Sequence, residues 1–251
     1  MQQTPQLPEG RRVYAVGDVH GCLPQLTALL ARIGADCAAR PASHVTLIFL
    51  GDYIDRGPDS AGVVETARAR PDWAQETITL KGNHEEMLER FFADSCSLAQ
   101  WCQFGGLETL ASYGLDPKEV AAGQIFAHAK IHDAFMEAFP ETHDEFFAGL
   151  QHSYSAGGYF FCHAGVRPGI PLERQRPNDL LWIREDFLHS TADFGRVVVH
   201  GHTRVKEPEL LANRINVDTG AYSTGRLTCA VLEADRIDFI TVGPLDLPRA
   251  D

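Results

Sequence analysis

No Cys-x-x-Cys pair occurs among the six cysteines, Cys22, Cys37, Cys96, Cys102, Cys162 and Cys229. A chain of 251 residues can bury a sizeable core and needs no disulfide staples. The thiols are therefore expected to be reduced and mostly buried, as in a cytoplasmic protein. Basic residues are scarce, 22 Lys and Arg against 34 Asp and Glu, for a net charge of -12. That balance argues against a surface that coats nucleic acid, and bound cations can neutralise part of it. No apolar run is long enough to span a bilayer. The first ten residues are polar and proline-rich, unlike a signal peptide. Neither a nucleic acid nor a membrane is expected as a partner. Internal repeats and low-complexity segments are absent as well.

What is present is a recurring unit of strand, polar loop and helix. Residues 12–16 are a short apolar strand that runs into Gly-Asp-Val-His-Gly at 17–21. Leu23, Leu26, Leu29, Leu30 and Ile33 then recur at helical spacing, with Pro24 near the start and Gly34 at the expected end. Residues 44–50 form a continuous apolar run, the signature of a buried parallel strand. It ends in Gly-Asp-Tyr-Ile-Asp-Arg-Gly at 51–57, and a helix is expected over 58–70. Residues 75–80 read as a third strand, ending in Lys-Gly-Asn-His-Glu at 81–85, before a helix through Met87, Leu88 and Phe91. Open α/β sheets place their ligands on such loops, at the C-terminal ends of strands.

Residues 95–150 differ. Helical patterning through Leu98, Trp101, Leu107, Leu110, Ile125, Phe126, Ile131, Phe135, Met136 and Phe139 is broken by glycines and Pro117. This reads as a helical subdomain of about 95–150 inserted in one domain spanning 11–245. The stretch from Trp101 to Gly114 either faces the substrate or forms a helix packing seam.

The second half is β-rich. A hairpin is expected over 153–162 around Gly157 and Gly158. Cys162 and His163 are adjacent, so in a strand they point to opposite faces, which favours His163 as a ligand and Cys162 as core. A loop carries 179–185, residues 196–199 lead into His-Gly-His-Thr at 200–203, and strands follow over 215–217, 227–232 and 237–242. By spacing alone, His200 and His202 are both eligible ligands.

The loops together supply Asp18, His20, Asp52, Asn83, His163 and His202. These are oxygen and nitrogen donors without thiolate, and they exceed what a single four-coordinate zinc needs. They suit two adjacent cations sharing a carboxylate. Such a pair lowers the pKa of bound water and so supplies a nucleophile at neutral pH.

The five blocks, in this order, resemble the phosphoprotein phosphatase family of calcineurin-like metallophosphoesterases. Val-Asp-Thr-Gly-Ala-Tyr at 217–222 extends the likeness, and the block at 180–184 is similar to the bacterial and phage branch. The resemblance implies an α/β (α+β) fold, a β-sandwich flanked by helices. It also implies two divalent cations: manganese is expected, with iron, zinc, cobalt and nickel compatible. Asp18 and His20 would hold the first, Asp52 would bridge, and Asn83, His163 and His202 would hold the second. His84 would be the general acid, oriented by Asp55, while Arg56 and Arg184 would clamp the phosphate. His202 is the histidine of the Gly-His-Thr triplet, which leaves His200 a supporting role. Arg204 stands where simpler metallophosphoesterases carry another metal-binding histidine.

The expected activity is a phosphomonoester hydrolase acting on phosphoserine and phosphothreonine proteins or peptides, with small phosphoesters as further substrates. A symmetrical diadenosine tetraphosphatase resembles the same blocks. That enzyme tends to lack the second aspartate of Gly-Asp-x-x-Asp-Arg and to carry Gly-Asn-His-Asp, so Asp55 and Glu85 favour the protein phosphatase. A catalytically dead binding scaffold is the reading from a different class.

Overall fold

The computed structural model describes residues 5–116, 118 and 128–247. Strand β1 (Arg11–Val16) shows how the core is divided. Tyr14 and Val16 point to one side and Val13 and Ala15 to the other, as strand alternation requires. Strand β2 (His44–Phe49) pairs with β1 in parallel, and β3 (Glu76–Thr79) pairs with β2 in parallel. Helices α1 (Leu23–Ala39), α2 (Ser60–Arg68) and α3 (Asn83–Ala93) follow these strands in turn. Tyr14, Val16, Leu47 and Phe49 pack against Leu26, Leu29, Val63, Val64 and Phe91 of those helices.

Helix α1 runs past Gly34, the expected end, to Ala39. A Cβ at Gly34 would come within 3.1 Å of the Trp73 indole nitrogen. This glycine makes room for a ring and does not stop the helix. Among the described residues, the segment 95–150 holds α4 (Leu98–Gln103), α5 (Gly106–Ser112), α6 (His128–Ala138) and α7 (Glu141–Ala148). Leu98, Trp101, Leu110, Ile131 and Phe135 are buried there as the pattern requires, whereas Met136 is exposed. Phe135 packs against the rings of Phe91, Phe92, Trp101, Tyr113 and Phe139. Pro117, Ile125 and Phe126 lie outside the described residues.

The second sheet begins with the expected hairpin, β4 (Ser153–Ala156) and β5 (Tyr159–Cys162). The segment expected as a loop contains helix α8 (Pro177–Trp182), followed by α9 (Glu185–Leu188). Pro177 opens α8, and Leu180 is buried against Phe160 and Cys162, a packing gain that the short segment did not advertise. Then come β6 (Val197–His200), β7 (Glu209–Leu210), β8 (Arg214–Asn216), α10 (Ala221–Thr224), β9 (Leu227–Glu233) and β10 (Arg236–Val242).

The first sheet has the order β10-β9-β1-β2-β3 and the second β4-β5-β6-β8-β7. Val13, Ala15 and Ile48 of the first meet Phe161, Val199 and Ile215 of the second in a dry interior. Outer helices cover both sheets, so the fold is a β-sandwich flanked by helices. Among the described residues no helix is long and apolar enough to cross a membrane.

Candidate metal centre

The loops after β1, β2, β5 and β6, with the first turn of α3, converge at one edge of the sandwich. The backbone there is strained. His20, Asp52, Asp55, Arg56 and His202 all have positive φ, and among the described non-glycine residues only Ala234 joins them. Each such conformation costs about 1–3 kcal/mol, a cost that recurs where side chains are re-aimed for function. Two glycines permit close approach. A Cβ at Gly82 would strike Asp52 Oδ1 at 2.1 Å, and one at Gly201 would strike Asp18 Oδ1 at 2.0 Å.

Hydrogen bonds set the tautomers. His20 Nδ1 lies 2.8 Å from the Ile54 carbonyl, and His163 Nδ1 lies 3.0 Å from the Leu50 carbonyl. A carbonyl only accepts, so each Nδ1 carries the proton and each Nε2 presents a lone pair. His20 Nε2 sits 3.4 Å from Asp52 Oδ2. His163 Nε2 sits 3.4 Å from Asp52 Oδ1, 2.9 Å from Asn83 Oδ1 and 3.2 Å from His202 Nδ1. His202 Nδ1 is itself 2.8 Å from Asn83 Oδ1. The two oxygens of Asp52 thus face two separate ligand groups, one with His20 and His84 and one with His163 and His202.

Charge agrees with geometry. Burial keeps all three histidines neutral, with His163 pushed down to about 3 and His20 and His202 well below the usual imidazole range. Burial, then the charges of Asp218 and Asp52, raises Asp18. Burial and Glu85 raise Asp52. Acceptors face acceptors and carboxylates crowd carboxylates, and divalent cations relieve both. The donor set therefore fits metal.

Asp18 accepts the His202 amide through both oxygens, at 3.2 and 3.0 Å, which ties the first loop to the last. His84, at the start of α3, makes a 2.6 Å contact from Nδ1 to Asp55 Oδ2, and its Nε2 lies 3.9 Å from Asp52 Oδ2. Burial pushes Asp55 up to about 7 against the hydrogen bonds from Thr109 and Trp101. Burial likewise lowers His84, helped by the charges of Arg56 and Arg184. Arg56 donates to His20 Nε2 at 2.9 Å. Arg184 reaches Thr203 Oγ1 at 3.4 Å, beside His202. All ten residues singled out from the sequence thus lie in or around this cluster. His200 does not join it: its Nδ1 donates to the Gly201 carbonyl at 3.0 Å, and its ring packs edge-on to Phe187.

Sequence reasoning missed several participants. Trp101 Nε1 donates to Asp55 at 3.0 and 3.1 Å, and Thr109 Oγ1 donates to Asp55 Oδ1 at 2.6 Å. Trp101 was expected to face the substrate or a packing seam, and the structure puts it, buried, against Phe91 and Phe135. The carboxylate of Glu85 accepts the backbone amides of Asp52, Tyr53 and Gly82, each at 2.8 Å, and so fixes the loop carrying Asp52. The only signal for these roles was a block of polar residues next to glycines.

A family profile described as calcineurin-like phosphoesterase matches residues 11–243. The chain belongs to the calcineurin-like phosphoesterase family. Such phosphoesterases use a dinuclear divalent metal site, for which the groups that share Asp52 are the candidate ligands here. The chain is 26% identical to the asymmetrical bis(5'-nucleosyl)-tetraphosphatase PrpE of Bacillus thuringiensis (strain Al Hakam), over 93% of this chain and 94% of that protein. It is 26% identical to the PrpE of Bacillus cereus (strain B4264), over 85% and 87%. A solved structure provisionally assigned as a diadenosine tetraphosphatase superposes with a TM-score of 0.60 at 21% identity, covering 93% of this chain and 94% of that one. A protein serine/threonine phosphatase from Saccharomyces cerevisiae superposes with a TM-score of 0.57 at 15% identity, over 98% and 86%. The two superpositions speak to the fold alone.

Proposed function

We propose that this calcineurin-like phosphoesterase hydrolyses dinucleoside tetraphosphates, cutting them asymmetrically. The observation that carries this reading is the near full-length similarity to proteins named for that activity. It replaces the serine/threonine protein phosphatase expected from the five blocks. Asp55 and Glu85 favour the protein phosphatase over a symmetrical tetraphosphatase, and the relatives are named asymmetrical.

Asp18, His20 and Asp52, and Asp52, Asn83, His163 and His202, are the residues that would hold two divalent cations, manganese being the first choice. When bound, those cations polarise phosphoryl oxygen and bring the pKa of bound water toward neutrality. Arg56 and Arg184 orient the polyphosphate. His84 hands a proton to the leaving oxygen, and Asp55 holds its ring. Water adds its oxygen to phosphorus as the bridging P–O bond between the first and second phosphates breaks. Residues 11–245 act as one cytoplasmic domain, and the helices of about 95–150 buttress the acid.

The purified protein with manganese should convert diadenosine tetraphosphate into equal amounts of ATP and AMP by chromatography. Two ADP would make the enzyme symmetrical. Phosphate release from a phosphoserine peptide, with the dinucleotide untouched, would restore the protein phosphatase reading.

A further inference from the structure

The two most exposed aromatic rings among the described residues both stand at the rim of the metal centre. Tyr222, in the first turn of α10, is 42% exposed, and its ring lies 5.3 Å from that of His20. Phe104, between α4 and α5, is 36% exposed, and its ring lies 6.3 Å from that of His84. The rings of His20 and His84 are themselves in contact, 4.6 Å apart.

Arg56 runs between the two rims. Its backbone N–H donates to the carbonyl of Gly105, next to Phe104, at 3.1 Å. Its guanidinium carbon sits 4.7 Å above the ring of Tyr222. A cation suited to phosphate thus sits over the Tyr222 ring, on a loop whose backbone is tied to the residue next to Phe104. Exposed aromatic rings cost hydrophobic free energy unless something covers them. The matching ligand has phosphate in the middle and a flat aromatic group at each end. Nucleobases stack on aromatic side chains with little regard to identity.

Resting on the dinucleotide reading above, we propose that Tyr222 and Phe104 are platforms for the two nucleobases, one at each end of the polyphosphate. Neither is a catalytic residue; together they set specificity for a substrate with two bases.

The test measures kcat and KM for diadenosine tetraphosphate, adenosine 5'-tetraphosphate and inorganic tripolyphosphate, which carry two bases, one and none. In the wild type, kcat/KM should fall stepwise along that series. Tyr222→Ala or Phe104→Ala should raise KM for the two-base substrate about 10-fold or more, a loss of the size found when a base loses its stacking partner. The preference over tripolyphosphate should fall by the same factor. Phe104→Leu, apolar but without a π-face, should behave like Phe104→Ala, whereas Tyr222→Phe and Phe104→Tyr should keep the preference. Equal losses on substrates with and without bases would overturn the platforms and leave dinucleotide hydrolysis standing. A wild type that ignores the dinucleotide but dephosphorylates a peptide would overturn both readings.

Discussion

Strand β1 carries a polar cluster at each end, half-buried at its start and buried at its finish, and the two are built on opposite rules. At its start, the Arg12 guanidinium donates to Glu233 at 2.7 Å and to the Arg40 carbonyl at 2.5 Å. Nearby, Tyr14 donates to Asp36 at 2.5 Å, and Arg40 grips the same carboxylate at 2.6 and 2.9 Å. Donors there face acceptors and positive faces negative. At the strand's far end, Asp18 meets Asp52 and Asp218, and His20 meets Asp52 and His84, so acceptors crowd acceptors there, with Arg56 donating to His20 alone of these. Of the six positive-φ non-glycine residues among those described, five gather at that end, and only Ala234, beside Glu233, lies at the other. A cluster whose partners close among themselves supports the fold. A cluster of like groups held together by strain is prepared for a ligand of opposite charge.

Neutralising one acid in each cluster should break the comparison most sharply. Asp52→Asn should lower kcat/KM by more than ~100-fold, beyond the usual effect of a residue that only orients a metal ligand. Bound metal counted by mass spectrometry should fall from two per chain. In chelator, however, the variant should melt at a higher temperature than wild type, because one of several crowded buried charges is gone. A lower melting temperature in chelator would mean that the carboxylates are satisfied without metal.

The clamp on Asp55 sharpens the contrast, since its donors close around an acid that serves chemistry. His84→Asn should slow an alkyl ester such as glycerol phosphate by ~10²–10⁴-fold, the range of general acid catalysis. It should slow p-nitrophenyl phosphate and diadenosine tetraphosphate much less, because nitrophenolate and polyphosphate leave as stable anions. Thr109→Val and Trp101→Phe should show the same pattern, with losses of roughly 10–100-fold on the alkyl ester. Thr109→Ser should restore the rate. Equal losses on all three substrates would reduce Trp101 and Thr109 to core packing.

The smallest effect belongs to the satisfied end. Burial pushes Asp36 up, but the hydrogen bonds and charge of Arg40, with Tyr14 and Arg12, outweigh it and hold the carboxyl below its usual range. A lowered pKa in the folded state gives stability that is complete above the ordinary carboxylate range and lost as pH falls through the folded value. Asp36→Asn should therefore cost about 1 kcal/mol in urea titrations at neutral pH. Wild type and variant should converge at acid pH, with activity unchanged. A constant gap at every pH would assign the loss to shape.

Much of the candidate site was legible because its residues are local to strand ends. Asp18 and His20, and Asp52, Asp55 and Arg56, each sit within a few residues of an apolar run that announces a strand. The alternation that sends Cys162 into the core also frees His163 to face Asp52. Gly34 shows the limit of that reasoning: a glycine inside a helical pattern reads as a stop until the ring packed against it is seen.

The sequence by itself determined which donors arrive at the edge of the sandwich. Strand periodicity and loop position depend on near neighbours along the chain, and neighbours are what a sequence displays. The tertiary structure alone decided how those donors are held and what flanks them. Trp101 and Thr109 reach Asp55 across 46 and 54 positions, and Tyr222 meets Arg56 from the other end of the chain. Such contacts follow from the packing of two mid-chain helices and a late turn around one loop. They impose no spacing on the residues that make them, so no period in the sequence marks them.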